Sequence, residues 1–248
     1  MVGRITDYLG QGIYTPEEAA FYARERTRTV TAWIMGSKSR RAVMHRQFEN
    51  EGRFVSFLDF VQTLAIASIR RQYGVPLQTI RQAVEEARTR YGVEFPFAME
   101  HTTHLFQRSD LPERGGALVS EDTSADRKFE LFIKLKDQPL VQLTGKNRGN
   151  YAIKQVVELY LSNVSFGTNG LATEYTAWNR WGLAIKMNPK RRFGEPLTPS
   201  GYTAQTLCEA VTNEGGIESA AKAYGVDCAE VELAYSYVDS LKAPPRAD

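Results

Sequence analysis

At 248 residues, with 42% hydrophobic residues and a net charge of +2, the chain is long enough for two domains with real cores and too balanced for its net charge to name a partner. No apolar run approaches a membrane span, the N-terminus lacks a basic-then-apolar leader, and two cysteines, Cys208 and Cys228, are too few for a disulfide framework and lack metal-ligand spacing. The expectation is a cytoplasmic protein with no membrane association and reduced, packed thiols. Its charge is unevenly spread. Residues 1 to 92 carry fourteen Lys and Arg against nine Asp and Glu, and residues 93 to 248 carry seventeen against twenty, so the N-terminal part is the better polyanion binder.

Thr15-Pro16-Glu17-Glu18 predicts a helix start, with Thr15 as N-cap, Pro16 where a missing N–H costs nothing, and Glu18 closing a capping box. The helix runs to about Ala23, and Ala19, Ala20 and Ala23 keep its inner side small enough for a second helix to approach closely. Val30, Trp33 and Ile34 form the apolar side of that second helix. Its outer side shows Thr27, Arg28, Thr31 and Ala32, with Arg24 and Arg26 just before it. This is the layout of a helix-turn-helix whose second helix can lie in a DNA major groove, Arg reading guanine edges or phosphates and Thr a phosphate or thymine methyl. After Gly36, the stretch Ala42 to Phe48 can pair with the alternating Phe54 and Ser56 as a basic hairpin, a wing offering Lys38, Arg40, Arg41 and Arg46 to phosphates. Two amphipathic helices follow, Phe57 to Arg71 and Pro76 to Tyr91, with Leu58, Val61, Leu64, Ala65 and Ile69 on one core side and Ile80, Val84 and Ala87 completing it.

The three phrases T-V-x-x-W, F-V-S-F-L-D-F-V and Y-G-V-P-L-Q-T-I-R-Q-A-V occur in that order. Over roughly residues 13 to 95 they resemble the MerR-like winged unit at the head of VapB-like bacterial antitoxins. Two departures stand out: Arg24 occupies the turn position where a small residue is usual, and Thr31 and Ala32 occupy positions often held by Arg.

The middle of the chain predicts a loop over 113–127, a strand in F-E-L-F-I-K-L from Phe129 to Leu135, a returning strand from Leu140 to Leu143, and a one-sided helix through Ile153, Val156, Val157, Tyr160 and Leu161. Alternation resumes through Leu183, Ile185 and Met187. A small mixed sheet with one helix is expected. The loop from Pro189 carries Lys190, Arg191, Arg192 and Phe193 and leads to three helices, Thr203 to Glu214, Ile217 to Tyr224 and Asp227 to Lys242, with Gly225 as the turn and Asp227 with Glu230 as a capping box. M-N-P-K-R-R-F-G-E-P followed by G-G-I-E-S-A-A-K-A-Y-G-V-D-C-A-E-V-E-L-A resembles the small helix-turn-helix domain common in antitoxin-like bacterial genes, and the two modules together resemble the mycobacterial type of VapB-like antitoxin. The last helix carries Glu230 and Glu232 where a groove reader would have Lys or Arg, so this unit reads as an interaction or dimerisation module.

The expected fold class is therefore α+β and mainly helical: residues 1–95 a MerR-like winged helix-turn-helix, 96–187 a central α+β segment, and 188–248 a three-helix interaction domain. No catalytic constellation, metal site or cofactor is expected. His101 and His104 could share a metal only on a helix and lack a further ligand, and Gly145 to Gly149 lacks the order of a phosphate loop. The resemblance implies a type II antitoxin that binds its operator DNA, represses its own operon and neutralises a PIN-like ribonuclease toxin; a homodimer is expected because a single small reading head needs paired half-sites for affinity, with the C-terminal helices as its candidate surface. The acidic metal pocket of such a toxin makes Lys190, Arg191, Arg192 and Phe193 the candidate contact. A free-standing MerR-like regulator with an effector-binding middle domain is the leading alternative, and an RNA-binding module the third.

Overall fold

The computed structural model describes residues 10–49, 52–100, 103–107, 129–133, 141–142 and 163–242. Among them the chain is α+β, with seven α-helices and seven short β-strands. The first helix, α1 (Pro16–Ala23), starts as its capping residues dictate. Thr15 Oγ1 accepts from Glu18 N at 3.1 Å, and Glu18 returns a carboxylate oxygen to Thr15 N at 2.7 Å. Arg24 ends the helix in the left-handed region at φ 54°, and α2 (Thr27–Met35) turns back with Val30, Trp33 and Ile34 buried. The three alanines of α1 are buried as expected, which is what allows the helix pair to close.

The next helix, α3 (Phe57–Tyr73), is the centre of the N-terminal core. It begins with a second capping box, Ser56 with Asp59, and buries Phe57, Phe60, Val61, Ile66 and Ile69. The fourth, α4 (Leu77–Tyr91), follows Gly74 and packs Ile80, Ala83, Val84 and Ala87 into the same core. Of the apolar residues expected there, Leu58 is only partly buried and the rest are inside.

The hairpin expected between Ala42–Phe48 and Phe54–Ser56 is not formed among the described residues. Residues 41–49 make bends and turns, and Val55 pairs with Tyr14 instead. The loop's backbone is satisfied from elsewhere, which removes the need for a strand partner. Trp33 O accepts from Val43 N, the Asp59 carboxylate accepts from Gln47 N, and Arg46 donates to the carbonyls of Glu49, Gly52 and Phe54.

The expected mixed sheet is two antiparallel ones. The strands β1 (Thr103–Gln107), β2 (Phe129–Ile133) and β3 (Val141–Gln142) form the first in the order β1-β2-β3. The second, in the order β4-β5-β6-β7, contains β4 (Val164–Phe166), β5 (Ala172–Arg180), β6 (Leu183–Met187) and β7 (Pro196–Leu197). Its neighbouring strands are joined by connections too short for the crossover that a parallel pair requires. The strand at Thr103 is absent from the sequence expectation, and it places His104 on extended chain rather than a helix. The loop expected over 113–127, the Gly145–Gly149 turn, His101 and the helix expected around Ile153–Leu161 lie outside the described residues.

The second sheet joins the two ends of the chain. Ala172 and Met187 pack into the N-terminal core, while Ile185 packs with Leu207, Leu233, Ala234 and Tyr237 of the C-terminal helices. Those helices are α5 (Ala204–Asn213), α6 (Ile217–Tyr224) and α7 (Cys228–Lys242), each within a residue of its expected start, and Gly225 makes the left-handed turn between the last two. The Glu230 carboxylate is not turned back to Asp227 as a capping box. It is buried and accepts from Ser200 N and Ser200 Oγ at 2.9 and 2.8 Å, tying α7 to the loop before α5. No helix among the described residues is long and apolar enough to cross a membrane.

Candidate nucleic-acid interface

Three elements converge beside α2. Its own outer side presents Thr27, Arg28 and Ala32 to solvent, with Thr31 half-buried and Arg26 exposed at the N-cap. Immediately after it, Gly36 at φ 75° starts a tight turn closed by Ser37 N to Arg40 O at 2.7 Å. A Cβ at position 36 would lie 2.8 Å from the Arg40 carbonyl oxygen, so the turn requires glycine. It carries Lys38, Arg40 and Arg41 into solvent. The third element is the start of α4. Together they enclose a groove of about 950 Å³ lined by Arg28, Arg40, Arg41 and Arg81 with Ser37, Ser39 and Gln78 among their neighbours, and no carboxylate.

Arg26, Arg28, Lys38, Arg40 and Arg41 make no side-chain hydrogen bond or ion pair among the described residues. They are cations without a counter-charge, the form in which a side chain is free to meet a phosphate. The candidate Arg46 differs. Its two terminal nitrogens bond the carbonyls of Glu49, Gly52 and Phe54 at 2.9, 2.9 and 3.3 Å, so it is a clamp within the loop rather than a free cation of a wing. Arg24 is half-buried, and its backbone makes the turn between α1 and α2. The other side of that turn is braced by Arg71, which pairs with Glu25 at 2.7 Å.

At the start of α3, Asp59 is fully buried, and desolvation pushes its carboxyl up to about 6 against the opposing pull of its bonds from Ser56 and Gln47 and of the nearby Arg46 charge. In the loop after α2, His45 lies between Glu49 Oε1 at 3.1 Å and Glu85 Oε2 at 3.5 Å, with Arg88 at 2.9 Å, which joins the loop to α4.

The second candidate cluster, Lys190 to Phe193, sits against the N-terminal unit rather than on a separate tail. Ile13 N donates to Phe193 O at 3.0 Å, and Tyr14 Oη donates to Gly194 O at 2.8 Å. Burial pushes the Tyr14 hydroxyl well above its usual range, which keeps it a donor. Gly194 has φ 95°, and the Tyr14 hydroxyl occupies the space a Cβ would need. Arg192 and Phe193 both adopt positive φ, 43° and 55°, and the Phe193 ring is held 46% exposed. Arg191 and Lys190 are exposed, and Arg192 Nε pairs with Glu195 at 3.0 Å. On α7, Glu232 is exposed and Glu230 is not, so the acidic face expected there is one residue poorer. Tyr235 is exposed and Tyr237 is core.

Sequence reasoning misses Arg81. Its helix is predicted, but its role depends on the carbonyls of Arg41 and Ala42, some forty residues distant in the chain, and nothing in the local pattern points to them.

No protein-family model and no curated protein matches the chain. Among solved structures, the crystal structure of Rv2018 from Mycobacterium tuberculosis is similar, with a TM-score of 0.56 and 17% identity over 89% of this chain and 96% of that one. At that identity the likeness is one of fold.

Proposed function

We propose that this protein is the DNA-binding antitoxin of a type II, VapB-like toxin–antitoxin pair. In this reading α1 and α2 are its helix-turn-helix, and the basic loop that follows α2 takes the place of a wing. The observation that carries it is the groove beside α2, lined by Arg28, Arg40 and Arg41, which have no counter-charge among the described residues, and by no carboxylate among them. Thr27 and Thr31 flank Arg28 on the side that would enter the major groove. A single reading head of this size makes few base contacts, so paired half-sites and a homodimer follow. The partner is a PIN-like ribonuclease, met by Arg191 and Phe193, and the complex represses its own operon.

The test uses the full chain and duplex from the region upstream of its gene, with affinity measured between 50 and 200 mM salt. Arg28→Ala, Arg40→Ala and Arg41→Ala combined should flatten the slope of log affinity against log salt by about three, roughly one for each phosphate no longer neutralised. Survival of both affinity and slope in the triple variant would sink the DNA-binding reading. Co-purification with the product of the neighbouring gene tests the antitoxin half.

A further inference from the structure

The groove beside α2 has a wall that belongs to neither helix of the α1–α2 pair. Leu77, Gln78 and Arg81 of α4 line it together with Arg28 and the Ser37–Arg41 turn. Arg81 is half-buried and engages all three of its nitrogens with protein. Nε donates to Ala42 O at 3.1 Å, one terminal nitrogen to Arg41 O at 3.2 Å, and the other to Gln78 Oε1 at 3.1 Å. A planar guanidinium that holds two consecutive carbonyls fixes the backbone on which they sit. It therefore fixes the chain at Arg41 and, one residue earlier, at Arg40, both of which line the groove and make no side-chain hydrogen bond or ion pair among the described residues.

Cations lining one concave space, with no carboxylate among its described lining residues, suit an anion with several acceptor oxygens, to which a guanidinium can give a charge-assisted bond. We infer that this groove is a phosphate-binding pocket gripped by Arg28, Arg40 and Arg41, and that Arg81 is its positioning residue, acting through the Arg41–Ala42 backbone. A phosphate of duplex DNA as the occupant rests on the function proposed above. The pocket itself does not, because a free phosphate compound presents the same oxygens.

The experiment uses the full chain, Arg81→Ala, Arg81→Lys, and the double variant Arg40→Ala/Arg41→Ala. In the first arm inorganic pyrophosphate is titrated while thermal unfolding is followed, with sodium chloride at equal ionic strength as control. Pyrophosphate should raise the unfolding midpoint of the wild type above the chloride control, through binding to the folded state. That shift should vanish in the double variant and shrink in Arg81→Ala. Lysine should not rescue it, because an ammonium lacks the planar fork that spans two carbonyls and an amide. In the second arm, duplex from the upstream region is bound at a temperature where circular dichroism shows Arg81→Ala fully folded. Affinity should fall about tenfold and the salt slope by one to two, as Arg40 and Arg41 lose their fixed places.

Wild-type behaviour of Arg81→Ala in both ligand assays, with only a lower unfolding midpoint, would make Arg81 a structural residue and overturn its assignment. No pyrophosphate effect beyond chloride in the wild type would overturn the pocket. A pyrophosphate effect that depends on Arg40, Arg41 and Arg81, with no duplex binding at all, would support the pocket with a free phosphate compound as its occupant while removing the DNA-binding function proposed above.

Discussion

Arg24 holds a left-handed conformation that a side chain other than glycine adopts at a cost of about 1–2 kcal/mol. Its place between α1 and α2 makes this a strain within the turn. Arg24→Gly should raise stability by about 0.5 kcal/mol, the strain relief being partly offset by the greater freedom of glycine in the unfolded chain. Urea unfolding of the two proteins checks it, and a loss of stability would mean that the Arg24 side chain contributes more than its backbone costs.

Asp59 provides a second test at the same scale. Its folded pKa, about 6, lies above the ordinary 3.8, so the folded state holds this proton more tightly than the unfolded chain. Its contribution is therefore most favourable below pH 4 and declines as the pH rises to about 6. Over that window the decline amounts to about 3 kcal/mol. Asp59→Asn removes the titrating group while keeping an oxygen for Ser56 N and Gln47 N. Between pH 4 and 6.5, the stability of wild type relative to Asp59→Asn should fall. Parallel pH profiles for the two proteins would show that the carboxyl does not titrate in this way.

At the scale of elements, helix existence is readable wherever the cause is local. The Thr15–Glu18 box, the buried alanines of α1, the Val30–Trp33–Ile34 stripe and the Gly225 turn all operate within a few residues, and each is found where its pattern places it. Interactions across the chain are not readable. Arg46 looks like a phosphate contact because its charge is visible in sequence, whereas the carbonyls that occupy it appear only when the loop closes. Glu230 looks like a cap for the same reason, and its partner Ser200 is thirty residues away. The candidate site is thus legible as a set of cations and not as a groove, since its α4 wall comes from a helix whose sequence reads as core and solvated surface.

Within α3, Gln62 runs against its surroundings. It is fully buried, and neither its amide nitrogen nor its amide oxygen has a hydrogen-bond partner among the described residues. A buried polar group left unpaired costs about 1–3 kcal/mol, which a flexible apolar side chain of similar length does not incur. Gln62→Met should therefore stabilise the protein by about 1–2 kcal/mol, measured as a higher urea midpoint at unchanged slope. A lower midpoint would show that the amide is paired in solution.

At the scale of the whole molecule, the ends of the chain are not independent. Met187 is fully buried in the N-terminal core, Ile185 in the C-terminal one, and Gly194 receives the Tyr14 hydroxyl bond just before α1 begins. A chain cut after Lys186 would lack both the Met187 packing and the Gly194 hydrogen bond, so the proposed toxin contact is better tested by side chain than by truncation. Arg191 and Phe193 are exposed, and the strained backbone at Arg192 and Phe193 projects the ring from a loop anchored on both sides. An aromatic anchor beside a free cation is the composition of a binding hot spot aimed at a pocket with an acidic rim. Phe193→Asn removes the ring while using a residue that tolerates the left-handed backbone. Combined with Arg191→Glu, it should leave unfolding within about 0.5 kcal/mol of wild type, as exposed substitutions do. Duplex binding should be retained, because the Arg28–Arg41 groove is untouched. Co-purification with the neighbouring gene's product, and inhibition of its ribonuclease activity, should both be lost. If the double variant still captures and inhibits that partner in full, the toxin contact lies on another face of the molecule.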